Sequence, residues 1–225
     1  MTALETEASE KIPFKGIRRT AARHMIAAWQ VPVFHLTIEV DMTEALKIKQ
    51  VSPGANLTDL LVYVSGRTLA AIPELNVHVD EEGVIPFAQA NVGLAVATDQ
   101  GLTVPVIHDA DSLSLQGIAA RRSEIVERAR TGTLTRPDIT LGTFTISNLG
   151  MMGIRRFDAI LNVPQAAILA VGSTEQRFRK VNGQENWIPV AEFTLTCDHR
   201  AIDGATGAKF LQHFAQLLQG PISAA

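Results

Sequence analysis

Apolar residues recur at helical spacing between Ile17 and Gln30, where Ile17, Ala21, Met25 and Ala28 form one stripe and Arg18, Arg19 and Arg23 lie among them. Pro32 separates this predicted helix from the next element. Phe34, Leu36, Ile38 and Val40 then alternate with His35, Thr37, Glu39 and Asp41, the pattern of a half-buried strand. A second helix is predicted over Thr58 to Ala71, ending before Pro73. Val92, Leu94 and Val96 alternate with small residues, Asp99-Gln100-Gly101 supplies a turn, and Leu102 to Ile107 returns as the partner strand of a hairpin. Pro105 marks that return as an edge or a bulge. Leu115 to Arg130 is a charged surface helix with Gly132 as its C-cap. Gly142 to Ser147 and Gln165 to Val171 are strands, the second buried, with a glycine-bearing loop from Asn148 to Gly153 after the first. Asn182-Gly183 is a hairpin signal, Ile188 to Cys197 the last strand, and Ala205 to Leu218 the last helix, stopped by Gly220-Pro221. Helices and strands interleave but hairpins are frequent. The predicted fold class is therefore α/β, with a mixed sheet covered on one face by helices.

Composition narrows the classes of function. With 225 residues, 46% hydrophobic and 19% charged, the chain can bury an adequate core as one domain, without a disulfide or structural metal. Only 5% is aromatic, so a mainly aliphatic core is expected. The net charge of -3 argues against a nucleic-acid binder. The longest apolar run, about Ala166 to Gly172, is far below the roughly 20 residues of a membrane span. The acidic, polar start MTALETEASE lacks the features of a signal peptide. A single cysteine fits a reducing compartment. Residues 1–11 have little to bury and are expected to form a flexible tail or linker remnant.

The chemistry concentrates in Thr194-Leu195-Thr196-Cys197-Asp198-His199-Arg200-Ala201-Ile202-Asp203-Gly204, which ends a strand and turns into a helix. Strand ends present side chains to clefts from a rigid element. A histidine there can act as a general base near neutral pH or simply hold the turn. Asp203, four residues on, could orient it or hold the turn itself.

Asp198-His-Arg-x-x-Asp-Gly-Ala205 resembles the C-terminal signature of the dihydrolipoamide acyltransferases, the E2 components of 2-oxoacid dehydrogenase complexes. Chloramphenicol acetyltransferase shares the shorter His-x-x-x-Asp-Gly form. Further segments resemble the same family in order: Gly16-Ile-Arg-Arg-Thr-Ala-Ala-Arg-His-Met25, Thr37-Ile-Glu-Val-Asp-Met42, Gly101-Leu-Thr-Val-Pro-Val106, Gly142-Thr-Phe-Thr-Ile-Ser-Asn-Leu-Gly150 and Asn162-Val-Pro-Gln-Ala-Ala-Ile-Leu-Ala-Val-Gly172. The match runs from about residue 12 to 219. The resemblance implies a two-layer sandwich of the chloramphenicol-acetyltransferase type, with residues 12–225 as the acyltransferase catalytic domain.

It also implies acyl transfer, acetyl or branched-chain, between a dihydrolipoyl arm and coenzyme A as substrate. His199 would deprotonate the thiol and Ser147 would stabilise the oxyanion. Asp203 would act in a structural or orienting way, and Asn148 would contact the coenzyme A or lipoyl chain, or cap its own loop. No metal is expected. The implied assembly is a homotrimer, with the histidine of one subunit facing the serine of its neighbour, associating further into a hollow core. The implied partners are a lipoyl domain that supplies the lipoyl group, and the E1 and E3 components. No Asp-Lys-Ala lipoyl segment or peripheral-subunit-binding region is found, as expected for an excised catalytic domain or a short relative. The implied location is the cytoplasm of a bacterium or the matrix of a mitochondrion. Alternatives are a non-catalytic E2-like scaffold, or an O-acetyltransferase of the chloramphenicol type.

Several residues carry blander readings. Cys197 could be a nucleophile but more simply fills the core. Met151 and Met152 could line an acyl pocket, with core filling the simpler role. His24, His35, His78, His108 and His213 show no metal-ligand spacing. Arg18, Arg19 and Arg23 most simply form a solvated helix face, with a phosphate contact or an ion pair to Asp203 as the alternative. Where many family members have Pro-His-Phe, this chain has Pro32-Val33-Phe34-His35, a change bearing on local packing or channel shape.

Overall fold

The computed structural model describes residues 13–99, 101–181 and 184–222. The expected tail over 1–11, Gln100 of the first hairpin turn and the Asn182-Gly183 turn lie outside the described residues. In chain order the elements are α1 (Gly16–Trp29), β1 (Val33–Asp41), a short α2 (Ile48–Val51), α3 (Leu57–Ala71), β2 (Val77–Val79), β3 (Val84–Pro86), β4 (Val92–Leu94), β5 (Val96–Thr98), β6 (Gly101–Thr103), β7 (Val106–Ile107), α4 (Leu115–Thr131), β8 (Phe144–Asn148), β9 (Ala167–Val171), β10 (Glu175–Val181), β11 (Gln184–Asp198) and α5 (Gly204–Gln219).

The main sheet has the order β1-β11-β9-β8-β4-β7, with β10 also paired to β11. Strands β4, β8 and β9 run parallel and the other pairs antiparallel, so the sheet is mixed as the interleaved pattern predicts. Helix α3 packs against both α4 and α5, and all three share a continuous core with the sheet. Strand β9 is buried at every residue because both its faces are covered. Ala167, Leu169 and Val171 join the main core, whereas Ile168 and Ala170 pack under Ala159 and Leu161 of the segment leading into it. That double burial is why its sequence reads as an unbroken apolar run. The core is aliphatic in bulk, yet its centre is aromatic: Phe144, Phe193, Phe210 and Phe214 are fully buried, with ring centroids 5.2–6.2 Å apart.

Three elements differ from expectation. The single predicted hairpin is split, so that β4 and β7 belong to the main sheet while β5 and β6 form a separate two-stranded sheet. The break falls at Val104-Pro105, where proline has no N–H for a ladder, and the Pro105 carbonyl accepts from Leu94 N at 2.9 Å. Strand β10 was not predicted; Glu175, Arg177 and Arg179 leave it no apolar alternation to read. The stripe of α1 is largely uncovered by its own chain. Ala28 is buried, but Met25, Ile26 and Trp29 are exposed.

Helix α3 begins in a capping box, with Asn56 Oδ1 accepting from Asp59 N at 3.2 Å and the Asp59 carboxylate accepting from Asn56 N at 2.8 Å. Asp59 is fully buried and also receives Arg122 of α4, Nε at 2.6 Å and an Nη at 3.1 Å. One carboxylate thus caps α3 and fastens it to α4. Gly132, at φ +70°, closes α4 as expected. Arg122→Ala, which strands a buried carboxylate, is expected to lower stability by about 3–5 kcal/mol in urea unfolding, and Asp59→Asn in the same background to recover part of it.

Candidate active site

The turn after β11 is fastened to two neighbouring segments. Asp198 N donates to Ala166 O at 2.8 Å, and His199 N donates to Pro32 O, just before β1, also at 2.8 Å. The Asp198 carbonyl accepts from Ala201 N and Ile202 N, and its buried carboxylate accepts from Arg200 N at 2.9 Å. The Arg200 guanidinium closes on the same carboxylate at 2.7–3.2 Å, and that hydrogen bonding raises the arginine's pKa above its usual value. His199 therefore sits on a rigid backbone with its side chain exposed. Its ring packs on Phe34, centroids 4.6 Å apart.

Four other histidines commit a ring nitrogen. His35 Nδ1 meets the Thr196 hydroxyl at 2.9 Å, and His213 Nδ1 the Thr68 hydroxyl at 3.4 Å. His78 Nε2 donates to Gly142 O and His108 Nε2 to Pro137 O. The His199 imidazole has no hydrogen-bond partner among the described residues, which leaves its nitrogens available to a substrate.

Ser147 is half-buried on β8. Its register partner on β9 is Ala170, which in turn lies opposite Thr194 of β11. His199 comes five residues beyond Thr194. At strand spacings of about 4.8 Å and a rise of about 3.3 Å per residue, the two are separated by about 10 Å across the sheet and about 16 Å along it. One chain does not bring them together.

Asp203 is the N-cap of α5, its Oδ1 accepting from Thr206 N at 2.7 Å. That bond, followed by one from the Thr206 hydroxyl, holds the carboxyl below its ordinary pKa. It makes no hydrogen bond to His199 and no ion pair to Arg18, Arg19 or Arg23 among the described residues. Those arginines are exposed on α1, where Arg19 Nε donates to Phe14 O.

Asn148 Oδ1 accepts from Gly150 N at 2.9 Å and so caps the loop after β8. Gly150 lies against the Gly172 backbone, so a Cβ at 150 would stand 2.5 Å from Gly172 O. The loop is pinned onto β9 but points outward. Met151 and Met152 are 85% and 72% exposed, which overturns their core-filling role. Cys197 points instead into the core, against α5. Burial and then the Asp198 charge push its thiol up to about 12, which removes it as a nucleophile. Phe34 and the Asp198–Arg200 clamp were not assigned to the site from sequence. The only signal for the clamp was the Asp-His-Arg triplet itself.

The architecture is that of a chloramphenicol-acetyltransferase-like sandwich. Chloramphenicol acetyltransferase superposes with TM-score 0.59 at 15% identity, over 88% of this chain and 94% of that one, a likeness of fold alone. The family model of the 2-oxoacid dehydrogenases acyltransferase (catalytic domain) matches residues 6–225, and the chain belongs to this family.

Among curated relatives, it is 34% identical to the dihydrolipoyllysine-residue acetyltransferase component of the pyruvate dehydrogenase complex of Zymomonas mobilis, over 94% of this chain and 50% of that protein. It is 38% identical to a mitochondrial component 3 of Arabidopsis thaliana, over 94% of this chain and 42% of that protein. The chain thus spans half or less of these relatives' length. Among solved structures it resembles a probable dihydrolipoamide acetyltransferase from Listeria monocytogenes (TM-score 0.90, 30% identity, 95% of each chain). It also resembles the cubic core of a pyruvate dehydrogenase multienzyme complex (TM-score 0.88, 29% identity, 96% and 93%). A third is the Azotobacter vinelandii dihydrolipoamide acetyltransferase (TM-score 0.87, 28% identity, 97% and 96%), studied for the roles of a serine, a histidine and an asparagine in catalysis.

Two outcomes are expected. Cys197 in the folded protein stays unreactive toward a thiol reagent at neutral pH and titrates fully once unfolded. Because the Asp203 pKa is depressed on folding, its cap stabilises the protein above the unfolded aspartate value of about 3.9 and is lost as pH falls through the lower folded value. Asp203→Ala should therefore lower Tm at neutral pH, with the deficit vanishing at strongly acid pH.

Proposed function

We propose that this domain, residues 12–225, transfers an acyl group, acetyl or branched-chain, between a dihydrolipoyl arm and coenzyme A. The observation that carries this reading is a solvent-facing imidazole with uncommitted nitrogens, His199, on a turn held by hydrogen bonds to two segments. The spacing in the Azotobacter relative supports it. Its serine and histidine are 52 positions apart and its asparagine four further on, the same intervals that separate Ser147, His199 and Asp203.

His199 takes the proton of the incoming thiol. The thiolate adds to the carbonyl carbon of the thioester, and the resulting oxyanion accepts a hydrogen bond from the Ser147 hydroxyl. Collapse breaks the original C–S bond, and the protonated imidazole returns the proton to the departing thiolate. A thioester is already activated, so a base, an oxyanion donor and positioning supply the chemistry. Asp203 serves by holding the turn through its cap, and Asn148 by shaping the loop beside Ser147, where the coenzyme A or lipoyl chain would pass.

The separation of His199 from Ser147 within one chain favours a site completed by a second subunit. The exposed apolar face of α1 supports a homotrimer, and the cubic core among its structural relatives supports further assembly into a hollow particle. A lipoyl domain would deliver the lipoyl group, with E1 and E3 as the other components. Among the described residues no group of three or more His, Cys, Asp or Glu is placed to hold a metal ion, and no helix is long and apolar enough to cross a membrane. The relatives include bacterial and mitochondrial proteins, which favours the bacterial cytoplasm or the mitochondrial matrix.

The test is transfer from acetyl- and isobutyryl-CoA to free dihydrolipoamide, with particle size measured alongside. His199→Ala should lose about 10²–10⁴ in kcat and Ser147→Ala about 10²–10³, with assembly unchanged. An assembled wild type without turnover would return the chain to a scaffold role.

A further inference from the structure

Strand β8 turns Phe144 and Ile146 into the main core, and so turns Thr145 and Ser147 to the opposite face of the sheet. Thr145 is 1% exposed, and its hydroxyl uses both of its bonding capacities. It donates to Gln165 Oε1 at 2.6 Å and accepts from Asn162 Nδ2 at 3.2 Å. Gln165 is also buried, and its backbone N–H donates to Asn162 O at 3.1 Å, so the three residues close a ring. A Cβ on Gly142 would stand 2.9 Å from Gln165 Nε2, which wedges the amide against the backbone leading into β8. A valine at 145 would fill the same space with no need of partners. A buried hydroxyl and amide add little net stability over such a core, but once fully satisfied they admit one arrangement of the segments they join.

The segment this ring holds is the stretch from Phe157 to Val163, which crosses that outer face. Ala159 and Leu161 lie on Ile168 and Ala170 of β9, with Phe157, Val163 and Val31 packed around them. Ile168 is the register partner of Thr145, and Ala170 that of Ser147. The segment therefore covers the strand beside Ser147 and walls one flank of its side chain. Apolar contacts are non-directional and do not fix where such a segment sits along the strands. The bond from Asn162 to Thr145 does, about 6–7 Å along β8 from Ser147. Ser147 is half-buried and has no hydrogen-bond partner among the described residues, so the direction of its hydroxyl is set by its walls.

The same corner also touches the support of His199. Ala166 N donates to Val77 O at 3.1 Å, and Ala166 O accepts from Asp198 N at 2.8 Å. Val31 precedes Pro32, whose carbonyl holds His199 N. A change at Thr145 thus has two routes to the chemistry. The direct one leads to Ser147, because both bonds of the Thr145 hydroxyl go to residues that end the covering segment or follow it. The His199 turn is reached only through the Ala166 backbone, whose bonds to Val77 and Asp198 involve no side chain of the ring.

We infer that Thr145, locked by Asn162 and Gln165, is a positioning residue for Ser147: it sets the segment that aims the serine hydroxyl at the reacting carbonyl. The inference rests on the acyl-transfer reading above. It is tested by a double-mutant cycle in the assembled protein, with kcat and KM measured for transfer from acetyl-CoA to dihydrolipoamide. Thr145→Val should lower kcat about tenfold with KM for both substrates held, since a displaced group loses transition-state contact before it loses binding. Thr145→Ser, which keeps the hydroxyl, should recover most of the loss. In a Ser147→Ala background, Thr145→Val should cost less than about twofold more, because the group it positions is already gone. A tenfold loss in both backgrounds would assign the effect to the His199 turn or to the fold at large and overturn the inference, as would wild-type kcat in Thr145→Val. Should Thr145→Val fail to assemble, Asn162→Ala, which removes one bond of the ring, carries the same comparison with a loss of about threefold expected. A Ser147→Ala protein as active as wild type removes the serine from the chemistry and this inference with it, leaving acyl transfer intact. A wild type inert toward dihydrolipoamide overturns the acyl-transfer reading itself.

Discussion

Strand β11 hydrogen-bonds to β1 along one edge and to β9 and β10 along the other, over 15 residues. Its C-terminal end is consequently held on both edges. Asp198 continues that determination past the ladder by binding Ala166 through its own N–H, and Ala201, Ile202 and Arg200 through its oxygens. The rotation of His199 about its backbone is all that is left to side-chain packing, and Phe34 supplies it from the adjacent strand. The base proposed at His199 would need this kind of support, because small displacements of a reacting group cost large factors in rate.

The same economy of contacts runs through the supporting layer. One carboxylate, Asp59, both caps α3 and holds α4, and one aspartate, Asp203, starts α5 directly behind the histidine turn. Close backbone approach at Gly150 and Gly172 sets the loop after Ser147 onto β9, and leaves Met151 and Met152 facing outward. With α1 also presenting Ile26 and Trp29 to solvent, the apolar surface left open by one chain lies beside or near groups assigned to the chemistry. The oligomeric site proposed above would account for this exposure.

Much of this was legible along the chain where one periodicity dominated. The alternation in β1, the apolar run of β9, the C-cap at Gly132 and the helix after Gly204 follow from local patterns that the tertiary structure reinforces. Legibility failed where contacts between distant segments decided the outcome. β10 is held by pairing with β11 rather than by alternation of its own, and Val104-Pro105 divides one predicted hairpin between two sheets. Phe34 and Pro32 join the site only because β1 pairs with β11 in one register, with Phe34 opposite Cys197. The Asn91 side chain accepts from Asp109 N and donates to Leu141 O, 18 and 50 residues away, and no local spacing announces either bond.

By itself, the sequence determined the fold class, the order of most elements and the family, because hydrophobic periodicity and an ordered set of motifs are local properties of the chain. Only the tertiary structure decided that Cys197 faces the core, that Asp203 caps a helix, that Met151 and Met152 are exposed, and that His199 and Ser147 stand apart within one subunit. Those outcomes depend on strand register and on which face each neighbour covers, and register is set by pairings between residues far apart in the chain.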